Sequence, residues 1–299
     1  GVGYMKNNIG LEVRANGKVN LYLDVLSRAD DGFHSIKSIM QSVSLCDRMI
    51  VSAARSSKTE IRICCDVPYV PCDERNIAHK AAAKFLEKCG IQAEVDISLH
   101  KRIPVSGGMA GGSTDAAGTL RALNKLFGGA MPNDELYKIA ASLGSDIPFC
   151  LMGKTALCEG RGEILTPLEN RAKLLFLIVP SSESVSTPWA YGELDRIFGD
   201  FSGRDNEARF NALCTALASG DVHGVCDNMY NIFEDAILPE RPIARRAKEL
   251  LKENGAIGAM MSGSGPTVFG IFESEETRAS AAAVLKENGY YPKTAESII

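Results

Sequence analysis

The sequence has 299 residues, 45% of them hydrophobic and 23% charged, which is ordinary for a folded chain and excludes disorder. Lys and Arg number 33 against 37 Asp and Glu, a formal charge of −4, so the overall basic balance of a polyanion binder is missing and no nucleic-acid partner is expected. The apolar run Leu174 to Val179 is far short of the ~20 residues that cross a bilayer, and no membrane association is expected.

In chain order, Val19, Leu21, Leu23 and Val25 alternate with Asn20, Tyr22 and Asp24, the period of a half-buried strand. Ile77, Ala81, Phe85 and Cys89 then recur every four residues ahead of Gly90, which reads as a helix and its stop. Val95, Ile97 and Leu99 form a second strand pattern. Ala116, Ala117, Leu120, Leu123 and Phe127 mark a helix closed by Gly128-Gly129, and a third helix covers about Asp134 to Leu143. Leu174 to Val179 reads as a buried strand. Thr187-Pro188 reads as a helix start with Thr187 as the cap, and helical periodicity runs near 205–218, 221–236 and 242–254. A strand pair near 257–261 and 267–272 precedes a last helix at about Ser274 to Asn288. Without strict strand–helix alternation the class is α+β. A division is expected near residue 168, giving domains 1–168 and 169–299. The residues before Met5 are set aside from fold reasoning, and the N-terminus has neither a secretory apolar core nor transit character.

Nine cysteines include no C-x-x-C, and His34, His79, His100 and His223 form no H-x-x-x-H pair. Zinc and disulfide-framework readings have little support. No metal-ligating residues are assigned; most cysteines are expected to be small, reduced core residues of a cytoplasmic protein.

Four segments carry chemistry. Pro104-Val105-Ser106-Gly107-Gly108-Met109-Ala110-Gly111-Gly112-Ser113-Thr114-Asp115 lies between a strand and a helix. Its four glycines permit close backbone approach to a ligand, and Ser113-Thr114 open a helix whose N-terminal N–H groups favour an anion. This is the pattern of a phosphate cradle, although it is neither a Walker loop nor a G-x-G-x-x-G fingerprint. A glycine loop with an ordinary helix cap has the same composition. Ser262-Gly263-Ser264-Gly265-Pro266-Thr267 suits either a binding turn or a plain β-turn. Asp146, in Gly144-Ser145-Asp146-Ile147-Pro148-Phe149, could accept a proton from a substrate hydroxyl or simply make a turn hydrogen bond. Lys18 and Asn20 project from one side of the first strand; a solvated strand face would explain them equally well. Asp31-Gly32-Phe33-His34, by itself, says only turn.

Taken together and in this order, Gly17-Lys18-Val19-Asn20-Leu21, the Pro104–Asp115 loop, Gly144–Phe149 and Ser262–Thr267 resemble the GHMP kinases, which phosphorylate small alcohols with ATP. Asp31-Gly32-Phe33-His34, Met40-Gln41 and Gly160-Arg161-Gly162-Glu163 look like the branch acting on a cytidine-diphosphate-linked methylerythritol of the non-mevalonate isoprenoid route. The likeness runs from about Ala15 to about Phe272. The chain departs from the pattern at Asn16-Gly17, Phe33, Met109-Ala110 and Ser113-Thr114, where a proline, Tyr, Leu-Gly and Ser-Ser are commoner.

The resemblance implies two α+β domains with the active site in the cleft between them, ATP and Mg²⁺ as cofactors, and a small-molecule substrate; no protein partner is predicted. It makes Asp146 the base and Lys18 its charged neighbour. Pro104, Val105, Ser106, Gly107, Gly108, Met109, Ala110, Gly111, Gly112, Ser113 and Thr114 would surround the ATP phosphates, with Ser113 or Thr114 near Mg²⁺. Asn20, Phe33, His34, Tyr191, Gly263, Ser264 and Gly265 would bind substrate, with Phe33 and Tyr191 closing on the cytosine and Trp189 the competing ring. The rivals are a kinase for homoserine or mevalonate, a related ATP-dependent decarboxylase, and an inactive nucleotide-binding regulator. Phe33-His34 count against the first two, and retention of Lys18 and Asp146 against the third.

Overall fold

A computed structural model describes residues 10–299; the residues before Met5 lie outside that range. The elements, in chain order, are β1 (Leu11–Arg28), β2 (His34–Arg55), β3 (Glu60–Cys65), α1 (Ile77–Cys89), β4 (Ala93–His100), α2 (Gly111–Leu126), α3 (Asn133–Leu143), α4 (Ile147–Met152), β5 (Thr155–Gly160), β6 (Ile164–Pro167) and β7 (Leu175–Val179). They continue with α5 (Thr187–Phe198), α6 (Glu207–Ser219), α7 (Val222–Asn228), β8 (Tyr230–Asn231), α8 (Phe233–Ile237), α9 (Pro242–Glu253), β9 (Gly258–Met261), β10 (Val268–Phe272), α10 (Glu275–Glu287) and β11 (Lys293–Glu296). The class is α+β, as expected. Among the described residues no helix is long and apolar enough to cross a membrane.

The chain forms two compact units that are not consecutive stretches. The first comprises, among the described residues, 10–15, Cys46–Ile103 and Gly111–Leu151. In it the second half of β2 runs antiparallel to β4, from Arg48 opposite His100 to Arg55 opposite Ala93, and β3 lies parallel on the other side of β4. Helix α1 packs against α2 and α3. Val95, Ile97 and Leu99 are buried, as their alternation requires, and so are Ala81 and Phe85 of α1 with Leu120 and Leu123 of α2. Gly90 ends α1 in a left-handed conformation, φ 61°.

The second unit comprises Asn16–Leu45, Pro104–Ala110 and Met152–Ile299. In it β5 pairs with the first half of β2, β6 with β5, and the two-residue β8 lies parallel to β1, with Tyr22 opposite Tyr230. A four-stranded antiparallel sheet in the order β11-β7-β10-β9 carries α9 and α10. Leu177, Val179, Leu194, Phe233, Leu250, Leu251 and Phe272 share its core. The expected division near residue 168 falls inside this unit, after β6.

Three expectations need correction. The helical stretch at 221–236 is α7, β8 and α8, because Tyr230 and Asn231 are drawn into pairing with β1. The cap of α5 is Ser186, whose hydroxyl accepts from the Trp189 N–H at 3.3 Å, so Thr187 is already helical. Only Cys46, Cys150 and Cys158 of the nine cysteines are buried, since Cys64 and Cys65 lie on the outer strand β3 and Cys72 lies in a loop.

Candidate active site

Strand β1 presents Lys18 and Asn20, 3% and 1% exposed. The Lys18 ammonium donates to Asn20 Oδ1 at 2.7 Å and to the Gly108 carbonyl at 3.1 Å. The Asn20 amide nitrogen donates to Ser38 Oγ at 2.9 Å, and that hydroxyl donates to the Tyr22 carbonyl at 2.7 Å. This chain fixes the carboxamide with its oxygen toward the lysine. The two-residue spacing is therefore a buried, hydrogen-bonded pair and not a solvated face.

The glycine-rich loop interlocks with the Ser262–Thr267 turn. The Gly108 carbonyl also accepts from Ser262 Oγ at 2.9 Å, and the Gly107 carbonyl accepts from the Thr267 N–H at 3.3 Å. A β-carbon on Gly108, where φ is +82°, would stand 2.2 Å from the Ser262 carbonyl oxygen, and one on Gly107 2.4 Å from Thr267 Oγ1. These two glycines are demanded by the protein's own turn, a reason the sequence does not display. Met109 is buried, while Val105 and Ser106 are exposed. Ser106 and Ala110 hold φ values of 57° and 59°, left-handed backbone that costs a residue with a β-carbon about 1–2 kcal/mol.

Two residues that sequence reasoning missed hold the turn. Asn231 donates to the carbonyls of Met261 and Gly263, both at 2.8 Å, and Glu234 accepts the Met261 N–H at 3.1 Å. Gly263 and Gly265 are buried; Ser264 is partly exposed, its hydroxyl 3.4 Å from Thr187 Oγ1.

In the first unit, α2 begins at Gly111, directly after the loop. Gly112 is exposed and Ser113 half-buried, but Thr114 is 1% exposed, so Ser113 is the hydroxyl within reach of a ligand. Asp146 is half-buried just ahead of α4, and its carbonyl accepts the Cys150 N–H at 3.1 Å. The far end of α4 is held by Arg121 of α2, whose Nη1 donates to the Cys150 carbonyl at 2.7 Å. Burial lowers the Arg121 pKa.

A third cluster surrounds His34. Its imidazole lies 4.5 Å from the Tyr191 ring at a 31° tilt, with Phe201 edge-on at 5.8 Å. His34 Nε2 lies 2.6 Å from Asp195 Oδ1, and the other oxygen of Asp195 pairs with Arg28 at 3.2 Å. Tyr191 and Asp195 are four apart on α5, one helical face. That face meets His34, and nothing in the spacing alone singles out Asp195. Phe33 is 51% exposed, with the Arg161 guanidinium 3.4 Å over its ring centre and Arg161 paired to Asp31 at 3.1 Å. Trp189 instead lies under Arg241, 4.7 Å away.

Two family models match, the GHMP kinases N terminal domain at residues 76–154 and the GHMP kinases C terminal domain at residues 213–290. The 4-diphosphocytidyl-2-C-methyl-D-erythritol kinase of Caldicellulosiruptor saccharolyticus is 39% identical over 274 residues, 92% of each chain. The kinase of the same name from Clostridium beijerinckii is 41% identical over 88% of this chain and 91% of its own. The chain belongs to this family of GHMP kinases. A crystal structure of a 4-(cytidine 5'-diphospho)-2C-methyl-D-erythritol kinase superposes with a TM-score of 0.79 at 31% identity, covering 95% of this chain and 99% of that one. Homoserine kinase from Cytophaga hutchinsonii shares the fold, with a TM-score of 0.74 at 19% identity, 100% of this chain and 98% of that one being covered. The chain is accordingly a kinase, with the GHMP fold.

Proposed function

We propose that the chain transfers the γ-phosphoryl group of ATP to the 2-hydroxyl of 4-diphosphocytidyl-2-C-methyl-D-erythritol, a step of non-mevalonate isoprenoid biosynthesis. The observation that carries this is likeness to kinases of that name at 39–41% identity over about nine-tenths of both chains. The 2-hydroxyl oxygen attacks the γ-phosphorus, the bond to the bridging oxygen breaks, and ADP leaves. Asp146 takes the hydroxyl proton. Lys18, anchored by Asn20 and the Gly108 carbonyl, steadies charge on the transferring group, in a reaction where catalysis is mostly positioning and electrostatics.

The segment from Pro104 through Thr114 receives the ATP phosphates, its final residues lying in the first turn of α2. The accessible Ser113 hydroxyl suits Mg²⁺, which keeps waters and takes few protein oxygens beside the phosphates. Among the described residues no group of three or more His, Cys, Asp or Glu could hold a metal ion, and a magnesium nucleotide needs none. When bound, the ion neutralises phosphate charge.

The cytosine end goes to Phe33, His34 and Tyr191. The His34–Tyr191 contact supports Tyr191 over Trp189 as the ring of that pocket. Gly263, Ser264 and Gly265 face the substrate phosphates. The two family models fall on either side of residue 168, which supports N- and C-terminal domains divided there. Phosphorus NMR of the product tests the regiochemistry. A new monophosphate ester resonance without vicinal proton coupling supports the 2-position, whose carbon carries no hydrogen, whereas splitting by the protons of a CH2–O or CH–O carbon overturns it.

A further inference from the structure

Three buried charged side chains stand where the glycine-rich loop begins and ends. Lys101 immediately follows β4, and its ammonium lies 2.5 Å from Asp47 Oδ2 and 2.6 Å from Asp115 Oδ2. The three side chains are 5%, 0% and 4% exposed. Asp47, on β2, also accepts the backbone N–H groups of Arg102 at 2.6 Å and Ile103 at 2.9 Å through its other oxygen. Those are the last two residues before Pro104. Asp115 sits in α2, the helix that the loop runs into, and the ammonium lies beside the start of that helix, 3.4 Å from where a β-carbon on Gly111 would stand.

We propose that Lys101 is a positioning residue for phosphate binding, its ammonium tying the strand that leads into the glycine-rich loop to the helix that leaves it. The inference rests on the reading of that loop as the nucleotide phosphate site. Three features separate the cluster from an ordinary ion pair. It joins residues 14 and 54 apart in sequence, so it fixes the distance between the two ends of the loop. It places an ammonium at a helix N-terminus, where the macrodipole alone would disfavour a cation, so the two carboxylates are what keep it there. It also sets two carboxyl groups against a single cation, and Asp115 Oδ1 has no hydrogen-bond partner among the described residues. Burying that imbalance is costly, and a cluster required only for packing would be served as well by apolar side chains.

The test measures Mg-ADP affinity by titration calorimetry, together with KM for each substrate, in wild type, Lys101→Met and Asp115→Asn. Lys101→Met is expected to weaken nucleotide binding and raise the ATP KM about tenfold or more, as loss of positioning at a distance does, with the alcohol's KM unchanged. Asp115→Asn keeps the Lys101–Asp47 pair and its shape, folds even if Lys101→Met does not, and is expected to weaken nucleotide several-fold. A merely structural role would lower the yield of folded enzyme and leave the ATP KM where it was. Wild-type binding with unchanged affinity in the folded variants overturns the clamp alone. No saturable nucleotide binding by wild type overturns the loop reading beneath it.

Discussion

The residues assigned to chemistry differ in what holds them, and so in what their loss does. Asp146 directly precedes α4, which Arg121 anchors through the Cys150 carbonyl, an anchor that Asp146→Asn does not touch. The variant is expected to bind ATP normally while turnover falls by about 10²–10⁴-fold, the usual worth of a positioned base; near-normal turnover in steady-state assays would remove Asp146 from that role. Phe33 offers a half-exposed ring, and aromatic–base stacking is worth about 1–3 kcal/mol. Phe33→Ala is therefore expected to raise KM for the cytidylated alcohol by tenfold or more with the ATP KM little changed, and equal effects on both would take Phe33 out of the base pocket. Lys18 and Asn20 were legible because a spacing of two on a strand sets side chains on one side. Asp195 was not, since a carboxylate on a helix surface looks like any solvated charge until His34 is seen beside it.

At the scale of elements, loop and turn form one piece. Gly108→Ala places a β-carbon against a backbone carbonyl that cannot swing away, and it disturbs the oxygen that accepts from both Lys18 and Ser262. Gly90 also has positive φ, 61°, but nothing lies within 4 Å of its added carbon. Gly90→Ala is thus expected to cost about 1–2 kcal/mol of stability with kinetics unchanged, while Gly108→Ala loses about 10²-fold in kcat/KM. Parallel kinetics in the two variants would contradict the interlock. Helices α1, α2, α3, α9 and α10 could be read from their apolar period and stops. The 22-residue β2 could not, because its middle is buried on both faces and the two-residue alternation disappears. The break between α7 and α8 was hidden for a different reason: Asn231 is committed to the Ser262–Thr267 turn through the Gly263 carbonyl, a contact across 32 residues.

For the molecule as a whole, the buried Asp47–Lys101–Asp115 cluster makes folding stability depend on pH. Burial pushes the Asp115 carboxyl from its usual value up to about 7, against the attraction of Lys101. The folded chain therefore holds a proton that the unfolded chain releases near pH 4. This contribution is complete below about pH 4, declines as pH rises, and is gone above about pH 7. Denaturation midpoints of Asp115→Asn are expected to gain on wild type as pH rises from about 4 to about 7, and a constant difference would contradict the assignment. The α+β class was readable from mixed, non-alternating patterns, but the two discontinuous units were not, because β1 and β2 each pass through both. The acceptor is identified by ADP release with Mg-ATP, comparing 4-diphosphocytidyl-2-C-methyl-D-erythritol, homoserine, mevalonate and no acceptor. Release is expected with the cytidylated alcohol alone; release with homoserine or mevalonate instead, or with none of them, would contradict the account.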